Sequence, residues 1–358
     1  MSRLERDSEP MPRLLDVQDL RVQYAGPSGP VRAVDGTTFG VKRGETYALV
    51  GESGCGKSTV ALAVLRLVEP GQITGGRLLF EGTDLMSLPE SAMRHYRGAR
   101  IGMVFQEAAA ALNPVLRIGA QVGEALRIHC GVGRREAWAE AVRLLGIVAL
   151  PDPERQAKAY AHELSGGMKQ RVMMAIALSC SPTLLIADEP TTALDVTIQA
   201  QILALLRRLK EQFRLTVLLI THDLGVVAEN ADRVGVMYAG RIVEEAPVAE
   251  LFLDPRHPYT QGLLRSLPAS AYATPQPTVG RRPRLPTLPG MVPDAAAPPP
   301  GCRFHPRCSH VFEPCPVLEP PDLPVGPGRR VACFLEDPEY SGTRRRTYAP
   351  PGGGEKRG

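Results

Sequence analysis

Gly51-Glu52-Ser53-Gly54-Cys55-Gly56-Lys57-Ser58-Thr59 spells a glycine, four residues and then Gly-Lys-Ser, the P-loop pattern. Gly51, Gly54 and Gly56 let the backbone turn where a side chain would clash, so that successive N–H groups point at phosphate oxygens. Lys57 reaches the outer phosphates, and the Ser58 hydroxyl suits Mg²⁺. Ser53, Cys55 and Thr59 complete the loop residues assigned to the nucleotide. On the N-terminal side, Thr46–Val50 reads as a short apolar strand. On the C-terminal side, Thr59–Val68 reads as a helix whose positive end faces the anion. Strand, glycine-rich turn and helix predict an α/β fold on a P-loop NTPase core. The motif alone says nucleoside triphosphate and leaves the enzyme open.

Composition narrows the classes. The chain has 358 residues, 22% of them charged, enough for one large domain and an appendage. The net charge of +4 is too small to argue for nucleic acid. The visibly basic spots, Arg281-Arg282 and Arg344-Arg345-Arg346, read first as solvated tails. No apolar stretch approaches the ~18 residues that cross a bilayer. Met1–Arg13 carries both signs of charge and no apolar core, unlike a signal peptide. The expectation is a cytoplasmic chain that reaches any membrane process through partner subunits.

Residues 1–13 read as a disordered tail. From Leu14 to Phe39 apolar and polar positions alternate around breakers at Gly26–Pro30, which predicts antiparallel strands. Tyr24 on these strands suits stacking on a purine, or is an edge-strand tyrosine. Gly75–Leu85 is hairpin-like, and Ile101–Phe105 is a strand ending at Gln106. From about Leu116 to Leu150 the apolar period becomes helical, a helical insertion that spans about 107–180 with its flanks. It ends at Leu164-Ser165-Gly166-Gly167, followed by a helix over Val172–Ser179. Ser165, Gly166 and Gly167 present free N–H groups at the positive end of that helix, a second phosphate-binding device. One ATP does not need two devices in one chain, so the second is expected to grip an ATP held by a neighbouring subunit.

Thr183–Ala187 is a buried-strand pattern ending in Asp188-Glu189. Carboxylates at the carboxyl end of a parallel strand lie beside the phosphates. Asp188 then holds Mg²⁺, and Glu189 orients or deprotonates the attacking water. Asp195 precedes the amphipathic helix Val196–Phe213, and the strand Thr216–Thr221 ends at His222, within reach of a γ-phosphate. Strands Arg233–Met237 and Arg241–Val243 and a short helix near Val248–Leu253 finish the domain over 14–267.

Together these segments resemble the nucleotide-binding subunit of an ABC transporter. Gly51–Thr59 matches Walker A, Gln106 the Q-loop, Leu164–Arg171 the signature, Leu184–Glu189 Walker B, Ala193–Asp195 the D-loop and His222 the switch histidine. Leu112-Asn113-Pro114, Met168, Asp195–Ala200 and His257–Thr260 resemble the dipeptide/oligopeptide permease ATPases, D-type subunit. One departure is Glu107-Ala-Ala-Ala-Ala111, where such subunits carry an acidic-Pro-Met run near the membrane-subunit contact. The resemblance implies an ABC-type ATPase with antiparallel β and helical subdomains, and a head-to-tail dimer sandwiching two ATPs with Mg²⁺ held by Ser58, Gln106 and Asp188. It also implies a second ATPase subunit, two transmembrane permease subunits and an extracytoplasmic solute-binding protein, with no nucleic-acid partner. The chain would sit peripherally on the cytoplasmic face of the membrane. Another imported solute (nickel, an oligosaccharide) and a soluble ABC-type ATPase outside transport remain as alternatives.

Residues 268–300 hold ten prolines and read as an extended linker. Beyond it lies a Cys-rich region over 301–340, then a tail over 341–358 that reads as disordered. Cys302, Cys308, Cys315 and Cys333 are separated by five, six and seventeen residues, without the tight pairs usual for zinc. Cytoplasmic disulfides are disfavoured. Some D-type subunits carry a 4Fe–4S cluster on a similar pattern, which makes these four its ligands by resemblance. Zinc or unligated thiols are the alternatives, with His305 and His310 as substitute ligands. Cys55, Cys130 and Cys180 read as packing residues.

Overall fold

The computed structural model describes residues 13–27, 29–192, 194–267 and 288–340. Residues 1–12 and 341–358 of the expected tails, Ala193 and most of the expected linker lie outside the described residues, whereas Arg13, expected in the tail, starts the first strand.

Leu15, Val17, Leu20 and Val22 are fully buried on β1 (Arg13–Gly26), which pairs antiparallel with β2 (Gly29–Lys42). β3 (Thr46–Val50) feeds the P-loop, and helix α1 (Lys57–Val64) leaves it. α1 begins at Lys57 rather than Thr59 and ends at Val64 rather than Val68. Its start is set by Gly56, whose φ of 106° only glycine adopts without strain. Its end comes where Arg66 turns left-handed. β4 (Gln72–Phe80) and β5 (Thr83–Asp84) close a 4-stranded antiparallel sheet ordered β2-β1-β4-β5.

α2 (Glu90–Tyr96) leads to β6 (Ile101–Val104). The helical insertion is α3 (Ala108–Ala111), α4 (Ile118–His129), α5 (Arg134–Ile147), α6 (Pro153–Lys158) and α7 (Gly166–Leu178). α7 starts six residues before the expected Val172, because Ser165 caps it by accepting the Met168 N–H at 3.4 Å. Then come β7 (Leu184–Asp188), α8 (Val196–Phe213), β8 (Thr216–Thr221), α9 (Leu224–Asn230), β9 (Arg233–Tyr238) and β10 (Arg241–Pro247). α10 (Val248–Leu253), α11 (Pro258–Arg265) and a hairpin of β11 (Asp322–Gly326) and β12 (Arg329–Ala332) complete the chain.

The second sheet has 8 strands in the order β11-β12-β10-β9-β3-β8-β7-β6. β9, β3, β8, β7 and β6 run parallel, buried on both faces, which explains their continuous apolar runs. One face packs on the helical insertion, the other on α1 and the antiparallel sheet. The Cys-rich region is joined to this sheet: β12 pairs antiparallel with β10. Phe304 is buried against Tyr238 and Tyr259, with ring centroids 5.2 and 5.5 Å away. Residues 288–300, expected as linker, also touch the domain, for the Arg32 N–H donates to the Ala295 carbonyl at 2.9 Å.

Candidate functional site

Parallel strands aim their carboxyl ends at one edge, and this sheet collects the predicted residues there. The chain order is P-loop, Gln106, Asp188-Glu189, His222. The spatial order is β3, β8, β7, β6, so His222 stands between the P-loop and the carboxylates.

The P-loop wraps tightly. A Cβ on Gly51 would lie 2.2 Å from the Met237 carbonyl oxygen, and one on Gly56 2.2 Å from that of Ala33. No side chain fits at either place. Lys57, 5% exposed, folds back to donate to the carbonyls of Gly51 (2.9 Å) and Glu52 (3.0 Å). The Cys55 thiol is buried 3.8 Å from the Lys57 ammonium, so Cys55 faces the nucleotide side only through its main chain.

The Ser58 hydroxyl donates to Asp188 at 3.0 Å, which brings together two of the three residues expected to hold Mg²⁺. Burial pushes the Asp188 carboxyl up to about 6, with the Ser58 hydrogen bond opposing and the Glu189 charge adding. A divalent cation beside it reverses that balance by favouring the ionised form.

Glu189 has φ +43°, a left-handed conformation uncommon for a residue with a side chain. The turn carries its carboxylate to three partners: Thr192 Oγ1 at 2.8 Å, Gln106 Nε2 at 3.2 Å and His222 Nδ1 at 3.2 Å. Burial works against ionisation, yet the hydrogen bonds from Thr192 and His222 outweigh it and hold this carboxyl below its usual range. Two adjacent carboxyls are thus driven apart by their surroundings, Asp188 up and Glu189 down. Gln106 donates to Glu189 and, among the described residues, no hydrogen bond joins it to Ser58 or Asp188, so it is not brought to the expected Mg²⁺ pair. Thr192 is an addition to the predicted set. A hydroxyl three residues past Glu189, in a turn that ends a buried strand, was the available signal.

Ser165, Gly166 and Gly167 stand elsewhere. Ser165 and Gly166 are exposed, and no hydrogen bond joins them to the P-loop group among the described residues. Gly166 and Gly167 lie against Leu194 and Ile198, beside the start of α8. Asp195 caps α8 by accepting the Ile198 N–H at 3.0 Å. Tyr24 sits on β1 opposite Val31, with its ring over Gly71.

Cys302, Cys308, Cys315 and Cys333 line one small cavity with His257, His305 and His310. All four thiols are free. Burial pushes Cys308 up to about 11 and raises Cys302 and Cys333. No three His, Cys, Asp or Glu among the described residues converge closely enough to hold a single metal ion. His257 is fully buried and neutral: its Nδ1 accepts the Tyr259 N–H at 3.0 Å, and burial lowers its pKa to about 3. Cys55 is buried as expected, but Cys130 is exposed, 3.9 Å from Cys180, and does not pack a core. Helix α4 ends just before Cys130, which leaves that thiol at the surface.

Among the described residues no helix is long and apolar enough to cross a membrane. Residues 34–192 match the family profile described as ABC transporter, and 243–315 the profile described as oligopeptide/dipeptide transporter, C-terminal region. The chain is 49% identical to the probable peptide ABC transporter ATP-binding protein y4tR of Sinorhizobium fredii, over 90% of this chain and 94% of that one. It is 49% identical to the oligopeptide transport ATP-binding protein AppD of Bacillus subtilis, over 92% and 98%. It is 45% identical to the oligopeptide transport ATP-binding protein OppD of Salmonella typhimurium, over 91% and 95%. The dimeric, post-hydrolysis structure of the ATP-binding cassette MJ0796 with ADP and phosphate superposes with a TM-score of 0.60 at 28% identity, over 65% of this chain and 98% of that one. Two matching profiles and relatives aligned nearly end to end place this chain in the ABC transporter ATP-binding family, in its oligopeptide/dipeptide branch.

Proposed function

We propose that this chain hydrolyses ATP to drive import of di- or oligopeptides through partner membrane subunits, from the cytoplasmic face of the membrane. The observation that carries the chemistry is Glu189, ionised and held by Thr192, Gln106 and His222 beside the Ser58–Asp188 pair. The P-loop amides and Lys57 bind and neutralise the phosphates. Ser58 and Asp188 would hold Mg²⁺, which would neutralise phosphate charge, and Glu189 orients the water and accepts its proton. Catalysis is then mostly positioning and charge stabilisation.

The exposed Ser165–Gly167 end of α7 is available to a second ATPase subunit, whose ATP it would complete while this chain's own ATP is completed in return. Tyr24 supplies a face for the purine. The peptide class rests on the C-terminal region match and on the names of the relatives. The test is reconstitution of the chain with its permease partners and solute-binding protein in vesicles. ATP-dependent uptake of labelled peptide supports the reading. ATP turnover that responds to nickel or an oligosaccharide and ignores peptide would replace it.

Four soft sulfurs lining one cavity are a donor set suited to a 4Fe–4S cluster, which the resemblance to D-type subunits favours over zinc. Cys302, Cys308, Cys315 and Cys333 would hold it, and when bound it would cross-link the C-terminal loops through four thiolates. No step of ATP hydrolysis passes through it. Anaerobically purified protein should be brown and contain about four irons per chain, by the stoichiometry of such clusters. A colourless sample with one zinc per chain would reject the cluster.

A further inference from the structure

We infer that the C-terminal Cys-rich loop positions the P-loop, through Arg307 on Glu52 and Arg303 on the turn behind Cys55, and thereby sets nucleotide affinity from outside the nucleotide site. The two residues of the first link are 255 positions apart in sequence. Arg307 Nη1 and Nη2 donate to the two Glu52 carboxylate oxygens at 2.7 and 3.0 Å. This is the forked geometry that fixes direction as well as charge.

The fork is itself held rigid. Arg307 is 4% exposed, its Nε donates to the Pro289 carbonyl at 2.8 Å, and its guanidinium lies 5.8 and 6.0 Å from the Tyr238 and Phe304 ring centres. Glu52 is fully committed. Its N–H donates to the Tyr259 hydroxyl at 3.0 Å, its carboxylate takes Arg307, and its carbonyl accepts the Lys57 ammonium at 3.0 Å. The residue that the C-terminal loop grips is therefore the one that anchors the phosphate-binding lysine.

A second brace works from the other side. Arg303 donates to the Ala239 carbonyl and to the Asp35 carboxylate. The next residue in that turn, Gly240, donates its N–H to the Cys55 carbonyl at 2.9 Å. Cys302 adjoins Arg303, and Cys308 adjoins Arg307. One short loop presents two cysteines to their cavity and two arginines to the P-loop.

The test titrates the purified full chain and its variants with a fluorescent ATP analogue. Arg307→Met should weaken binding about tenfold. Arg307→Lys should recover part of it, since it keeps the charge and loses the fork. Glu52→Gln should resemble Arg307→Met, and the double variant should be no worse than either alone. Arg330→Met is the control: it breaks the part-buried pair with Glu245 on β10, two strands from β3 and without a hydrogen bond to residues 51–57 among the described residues, and should lower Tm with binding unchanged. Amide exchange over residues 51–60 should quicken in Arg307→Met and not in Arg330→Met. Binding within twofold of the parent in Arg307→Met and Glu52→Gln, or equal weakening in Arg330→Met, overturns the inference. If Arg307→Met does not fold, Arg307→Lys and Glu52→Gln decide between the same two outcomes. The inference rests on the nucleotide reading of the P-loop. A parent chain that fails to bind the analogue defeats that reading, whereas a parent that binds, with unaffected variants, defeats only this one.

Discussion

At the scale of single residues, two neighbouring carboxyls differ because their surroundings differ. Asp188 ends a fully buried strand and meets one hydroxyl. Glu189 turns out of the strand into three hydrogen-bonding partners. Glu189→Gln should therefore bind ATP as the parent does, lose hydrolysis by about 100-fold or more, and accumulate an ATP-bound dimer on size exclusion. Turnover near the parental rate in the assembled transporter would remove Glu189 from the mechanism. Lys57→Ala should lose nucleotide binding itself, measured by equilibrium titration. Both residues were legible in the sequence, since strand, turn and residue type sit together within a few positions. Thr192 was half legible, and Glu52 was not, because its partner Arg307 is brought to it only by the fold.

At the scale of elements, capping and close approach decide the boundaries. His257 caps α11 as a neutral acceptor, and its pKa of about 3 lies far below the ordinary 6.5. The unfolded chain takes up that proton below pH 6.5 and the folded chain does not. Stability is thus complete above about pH 6.5 and is lost as pH falls toward 3. His257→Asn, which keeps a capping acceptor and cannot titrate, should lose about 1 kcal/mol less than the parent between pH 7 and 5.5, read from urea midpoints. β6 and the signature helix α7 meet at Gly102, where a Cβ would lie 2.3 Å from the Ala177 carbonyl oxygen. Gly102→Ala should cost about 1–3 kcal/mol and lower Tm by several degrees in a thermal scan. An unchanged Tm would show that the two elements can separate freely. Periodicity found α8, β8 and α10 at their observed limits. It missed the early start of α7, because paired glycines read as loop until the Ser165 cap is seen.

At the scale of the whole molecule, the C-terminal region is part of the fold rather than an ornament. β12 covers the β10 edge and Phe304 fills a core shared with Tyr238 and Tyr259. Deleting residues 301–340 should expose that edge and those rings, cost roughly 3 kcal/mol or more, and send the chain into aggregates on size exclusion. A monodisperse truncation with the parental Tm would make the region an independent appendage. The sequence by itself determined the P-loop core, the order of its motifs and the residues proposed to meet the phosphates, because each is a local pattern of strand, glycine turn and helix. It also marked four cysteines as a group. Only the tertiary structure decided that β8 places His222 between the P-loop and Asp188-Glu189, that the four thiols share a cavity, and that two arginines beside them brace the P-loop. Strand order and long-range ion pairs depend on which distant segments pack together, and no local periodicity carries that information.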